Sequence, residues 1–210
     1  MSRKTITNRE QAYQEIKSRI MNGEYEFGEK LNIAALVKEF GLSNSPIREA
    51  IGLLENEYLV ESTPNAGARV TVMNKARYQN AAITMDMLQQ GAYEYCLRTG
   101  KKEFLLEVME ESLVEVRHAM QREDKKACLE ANMKYWCSFI YATGNELYEK
   151  IASKQFDLYL LAEIFNHEDE TLDFQKIIRR DEELLQNVRD DEHDKVCTSI
   201  FSYKKYHREW

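Results

Sequence analysis

Apolar residues recur at three- and four-residue spacing along most of this 210-residue chain and switch to alternation in one place, between Tyr58 and Met73. That pattern predicts helices interrupted by a single hairpin. From Arg9 to Met21, "REQAYQEIKSRIM" sets Ala12, Tyr13, Ile16, Ile20 and Met21 at helical spacing, and Asn22-Gly23 supplies a left-handed stop. "NGEYEFGEKL" reads as a turn-rich connector with a short strand at its end. Asn32 then caps a short helix through Phe40, with Leu36, Val37 and Phe40 on one face and Gly41 as its stop. Leu42 fills the turn. Ser43, Asn44 and Ser45 follow as cap candidates, Pro46 suits a first helical turn, and Ile47, Ile51 and Leu54 continue the helical period to about Glu57. "YLVES", a turn at "TPNAGA" and "RVTVM" complete a β-hairpin.

After Asn74 the alternation does not return. Lys75 to Leu97 reads as a helix with Ala81, Leu88, Ala92 and Tyr95 on one face, broken by "RTGKK". Segments at Lys102 to Gln121, Lys125 to Thr143, Glu146 to Phe165, Thr171 to Arg189 and Glu192 to His207 each keep helical spacing. The expected fold is mainly α: an N-terminal winged helix-turn-helix over residues 1–73, then an all-α bundle of six or seven helices over residues 74–210.

Composition sharpens this picture. Two prolines and 31% charged residues suit long uninterrupted helices. No apolar run is long enough to span a bilayer, and "MSRKTITNREQ" lacks the apolar stretch of a signal peptide, so the expected setting is the cytoplasm. Cys96, Cys128, Cys137 and Cys197 are widely spaced and form no CxxC pair, which reads as four reduced packing residues. A glycine-rich phosphate loop, GxSxG and HExxH are all absent, and acidic pairs such as Glu182-Glu183 and Asp190-Asp191 fall at helix ends or solvated faces. No enzyme and no cofactor is expected.

The net charge of −7 is unevenly placed. Residues 1–73 hold 9 Lys and Arg against 10 Asp and Glu, while the remainder holds 20 against 26. The near-neutral N-terminal part can therefore face DNA if its few cations are well positioned. Two helices joined by a tight turn and followed by a hairpin offer the second helix to a major groove about 12 Å wide. Ser43, Asn44 and Ser45 lie at that helix's start, where free N–H groups attract phosphate and short polar side chains can reach bases. Arg48, one turn on, can bind a phosphate or pair with guanine. At the wing, Asn65, Ala66 and Gly67 are small enough to approach a minor groove, with Arg69 behind them. The rival reading is an interaction or dimerisation module whose winged helix has lost its DNA contacts.

In these residues the chain resembles the GntR family of bacterial transcription regulators. The resemblance runs from "AYQEIKSRIMNGEYEFGEKL" through "ALVKEFGLSNSPIREAIGLLENEYLVES" to "PNAGARVTV", with "SPIREAIGLL" its most specific part. The helical remainder is similar to the FadR subfamily and its FCD-type C-terminal domain, with the landmark "NMKYWCSFIYATGNELY" ending at Ala142-Thr143-Gly144-Asn145. The resemblance implies a homodimer on palindromic double-stranded operator DNA, whose affinity changes when a small molecule occupies the helical domain.

The departures from the family carry as much information. Ala34 and Asn44 stand where relatives commonly have arginines, which removes phosphate contacts and leaves Asn44 free to read adenine. Many relatives hold a divalent metal with one Asp and three His, and the matching positions here are Asn132, Trp136, Asp181 and Tyr203. That set does not make a transition-metal site, so no bound zinc is expected. His118, His167, His193 and His207 read as surface or cap histidines. Met85 and Gln89 replace an effector-facing arginine and glutamate. The substituted positions, Met85, Gln89, Asn132, Trp136, Asp181 and Tyr203, with Tyr135 beside them, suggest a pocket for an apolar or aromatic effector with few polar anchors. The alternative is that these side chains fill the space themselves.

Overall fold

A computed structural model describes residues 6–63, 67–122, 124–166 and 173–201. The chain divides into two compact units, Met1–Asn74 and Lys75–Trp210. In the first, α1 (Asn8–Met21), α2 (Ile33–Phe40) and α3 (Asn44–Asn56) are followed by β1 (Val60–Thr63) and β2 (Gly67–Val70). Thr7 caps α1 by accepting the Glu10 N–H at 3.1 Å, and Asn32 caps α2 by accepting that of Ala35 at 3.0 Å. Gly41, with φ of +64°, makes the left-handed turn that separates α2 from α3. Ala12, Ile16 and Ile20 of α1 are buried, as are Ile47, Ala50, Ile51 and Leu54 of α3, and the two helices pack on each other.

Ion pairs fasten the rest of this unit. Arg19 of α1 reaches Glu39 of α2 at 2.6 Å while its guanidinium lies over the Phe40 ring at 5.1 Å. Lys17 and the Tyr13 hydroxyl both bind Glu57 just past α3, at 2.9 and 2.6 Å. β1 and β2 are antiparallel in the register Val60↔Val70 to Thr63↔Gly67. The short strand expected in the connector exists as a bridge from Lys30 to Arg69, so β2 is hydrogen-bonded on both edges. Tyr58 turns the chain from α3 into the hairpin with φ of +61°, and the buried Thr71 hydroxyl donates to its carbonyl.

The second unit is all helical: α4 (Lys75–Arg98), α5 (Lys102–Gln121), α6 (Lys125–Trp136), α7 (Ser138–Ala142), α8 (Glu146–Asn166), α9 (Phe174–Arg189) and α10 (His193–Ile200). Tyr93, Leu105, Met109, Tyr135, Phe139 and Ile140 form its fully buried centre, where the Tyr93 and Phe139 rings meet edge to face at 5.6 Å. Two expectations need correction. The helix expected from Lys125 to Thr143 is divided at Cys137, which stays in the right-handed helical region and donates its N–H to the Met133 carbonyl at 2.9 Å but has ψ of −7°, well off the usual helical value, and α7 follows it. The face of α4 is also out of phase near its end: Tyr95 is 45% exposed, whereas Tyr93 and Cys96 are buried. The residues that end α7 and start α8 each have a local task. Thr143 receives a hydrogen bond from Lys101 on its carbonyl, Gly144 takes φ of +59°, and Asn145 caps α8 through the N–H groups of Leu147 and Tyr148. No helix among the described residues is long and apolar enough to cross a membrane.

Candidate nucleic-acid interface and effector site

Burying one stripe of α3 leaves Asn44, Ser45, Arg48 and Glu49 exposed on the other side. Gly52 continues that side, and a Cβ there would meet nothing within 4 Å, so the surface is low as well as polar. Ser43 is the N-cap residue but its hydroxyl makes no cap hydrogen bond, which leaves N–H groups of the first turn open. Ser45 is engaged: its hydroxyl donates to Glu49 at 2.8 Å. Arg48, the one basic residue of α3, makes no ion pair among the described residues. The i+4 spacing of Ser45 and Glu49 is the sequence signal that places Glu49 on this face beside Ser45.

The wing is less free. Arg69 lies opposite Glu61 in the strand register and pairs with it at 3.0 Å, which offsets much of its charge. Gly67 opens β2 with φ of +84°. Asn65 and Ala66 lie outside the described residues.

In the helical unit, Asn132, Trp136 and Asp181 are brought together across α6 and α9. The Trp136 indole N–H donates to Asp181 Oδ1 at 3.2 Å, and the Asn132 amide donates to Oδ2. Arg180 closes the group: its Nη2 lies 3.0 Å from Asp181 Oδ1 and 2.8 Å from Asn132 Oδ1, with the guanidinium 5.1 Å from the Trp136 ring centre. Tyr135 donates to the Asp181 carbonyl at 2.6 Å. Burial pushes the Asp181 carboxyl up to about 6 against the lowering pull of Arg180. The positive charge that a metal would bring to this carboxylate is thus brought by Arg180, and both carboxylate oxygens are satisfied by side chains. Adjacent helical residues do not normally face the same way, which is why Arg180 gave no sequence signal.

Met85 and Gln89 are buried on α4. Among the described residues, no hydrogen bond joins Gln89 to the Asp181 group. Tyr203, His167 and His207 lie outside the described residues. A cleft of about 190 Å³ opens elsewhere, between α6–α7 and α8, against Cys137, Ile140, Tyr141, Ala152 and Phe156. Where α4 packs on α8, Asp86 is 6% exposed and its Oδ2 has no hydrogen-bond partner. Burial, reinforced by the Glu163 charge, pushes the Asp86 carboxyl up to about 7.

Comparison with known proteins accords with this geometry. Residues 8–70 match the family described as bacterial regulatory proteins, gntR family. Over 159 residues the chain is 28% identical to YdhC, an uncharacterized HTH-type transcriptional regulator of Bacillus subtilis (strain 168), a match covering 75% of this chain and 70% of YdhC. Among solved structures, the chain is similar to Lar, which controls expression of the agr system in Listeria monocytogenes, with TM-score 0.66 and 21% identity over 95% of this chain and 94% of Lar. It is also similar to a structural-genomics GntR protein from Rhodococcus sp. RHA1, with TM-score 0.73 and 14% identity over 93% and 92% of the two chains. At these identities the structural likenesses speak for the fold.

Two measurements test the buried charges. Replacing Arg180 with Met leaves Asp181 buried without its cation, and denaturant unfolding is expected to show a loss of roughly 3–5 kcal/mol, partly restored in the R180M/D181N double variant. For Asp86, a carboxyl raised in the fold contributes stability that is complete below its unfolded value and is lost as pH rises through about 7. D86N is therefore expected to gain on the order of 1–3 kcal/mol relative to the parent between pH 5 and pH 8, read from unfolding curves at the two pH values.

Proposed function

We propose, for a transcriptional regulator that carries a gntR-family DNA-binding helix-turn-helix, that a homodimer reads palindromic operator DNA through α3 and is modulated by a small-molecule effector in its helical unit. The observation that carries this reading is the exposed face of α3, where Asn44 and Arg48, which makes no ion pair among the described residues, stand beside a helix start whose N–H groups are not capped by the Ser43 side chain. Ser43, Asn44, Ser45 and Arg48 enter the major groove, with Asn44 placed for a bidentate contact to adenine and Arg48 for guanine or phosphate. Asn65, Ala66, Gly67 and Arg69 bring the wing to the minor groove, and DNA phosphate competes with Glu61 for Arg69.

The helical unit serves as a FadR-type effector domain. Its effector is apolar or aromatic, because the carboxylate of Asp181 is already neutralised and Met85, Gln89, Asn132, Trp136 and Tyr203 offer few charges. Occupancy shifts an existing balance between forms that differ in DNA affinity.

The Arg69–Glu61 pair and the exposed Glu49 favour the second reading, a docking module that binds protein rather than DNA. Fluorescence anisotropy against DNA from the protein's own upstream region, at low and moderate salt, separates the two. Binding is expected to weaken steeply with salt, and Arg48→Ala to cost roughly 1–3 kcal/mol, a five- to 150-fold loss of affinity. Equal binding by both proteins, or none at low salt, would favour the docking module.

A further inference from the structure

We propose that Glu94, His193 and Cys197 bind a divalent cation of the zinc class on the seam between α4 and α10. Gln90 and Glu94 are one turn apart on α4, and His193 and Cys197 are one turn apart on α10, so each pair lies on one helix face. The two helices pack together and bring the faces into contact. His193 Nε2 lies 2.7 Å from Glu94 Oε1 and 3.6 Å from Cys197 Sγ, and one donor atom from each of the three residues falls within 4.8 Å of the others. Around tetrahedral zinc, nitrogen, oxygen and sulfur ligands stand roughly 3.3–3.6 Å apart. The thiol and imidazole already have that separation, and Glu94 has to withdraw from the ring by under about 1 Å to reach it.

The surroundings point the same way. Tyr93 stacks on the His193 ring at 5.7 Å and 25°, which holds its plane, and Asp194 Oδ1 lies 3.6 Å from the second ring nitrogen, from where it has to close in to hydrogen-bond and orient a ligating imidazole. Gln90 places its amide nitrogen 3.2 Å from Cys197 Sγ and 3.1 Å from Glu94 Oε1, while its Oε1 is buried with no hydrogen-bond partner. Turning that amide over offers the oxygen to the cation as a fourth, neutral donor; water takes the fourth place otherwise. Thiolate, imidazole and carboxylate together select zinc or cobalt over magnesium or calcium. On binding, the thiol proton leaves to solvent, and the ring coordinates through Nε2 as neutral imidazole with its one proton on Nδ1, any second ring proton also going to solvent, so that thiolate and carboxylate balance the two positive charges.

This group is separate from Asn132, Trp136 and Asp181, which lie on α6 and α9. Cys197 departs from the expected buried packing role: Cys96, Cys128 and Cys137 are buried, but Cys197 is partly exposed, beside the exposed His193. A bound cation ties α10 to α4.

The test uses the untagged full chain, stripped with a chelator, kept reduced with a phosphine and titrated with Co²⁺ and then Zn²⁺. One equivalent of Co²⁺ is expected to produce a thiolate-to-cobalt charge-transfer band that Zn²⁺ abolishes. Cys197→Ser is expected to lose the band, His193→Gln to weaken Co²⁺ binding at least about tenfold, and His118→Gln, on the exposed face of α5, to leave it unchanged. Circular dichroism of each variant reports its fold. Absence of the band in the parent protein overturns the proposal whatever the variants do, and so does a band that survives Cys197→Ser.

Discussion

What α3 displays to solvent depends on its seating against α1. Ile47, Ala50 and Leu54 of α3 are completely buried, as are Ala12 and Ile16 of α1. A helix of this length can bury one stripe, so holding that stripe decides what the opposite side displays. Asn44, Ser45, Arg48 and Glu49 face outward because Ile47, Ala50, Ile51 and Leu54 cannot. The neighbouring charges serve the same seat. Arg19 and Lys17 join α1 to α2 and to the end of α3, while Arg48, the one basic residue of α3, stays exposed.

In the helical unit, burial of charge is the corresponding constraint. Asp181 is wholly buried and is satisfied by Arg180, Trp136 and Asn132. Asp86 is buried with one oxygen unpaired, and burial, reinforced by the Glu163 charge, raises its carboxyl to about 7, so the fold favours its neutral form below that pH. The two carboxyls are buried on different helices, Asp86 on α4 and Asp181 on α9.

Much of the N-terminal unit was legible in the sequence because local signals agree there. Asn32 and Gly41 mark the bounds of α2, Ile47, Ile51 and Leu54 mark the buried stripe of α3, and the change of period at Tyr58 marks the hairpin. The bundle was legible in its helices but less so in their phase. Tyr95 fits the apolar spacing of α4, yet Tyr93 is the tyrosine the core accepts, because neighbouring helices rather than periodicity choose the buried face. Cys137 carries no helix-breaking signal in the sequence, and the division there was not legible. Asn132, Trp136 and Asp181 were found through a family resemblance, whereas Arg180 completes their group from a position that helical spacing directs elsewhere. The Glu94, His193 and Cys197 cluster joins residues about a hundred positions apart, and no local pattern records such a meeting.

The most direct measurement of the central claim is the set of sequences bound from a pool of randomised duplex DNA, compared between the parent protein and Asn44→Ala. If the outward face of α3 reads bases, the parent selects a palindrome and the variant loses its preference for adenine at one symmetric pair of positions. Identical selected sequences for the two proteins would contradict the account, because the seating of α3 would then present Asn44 to no base.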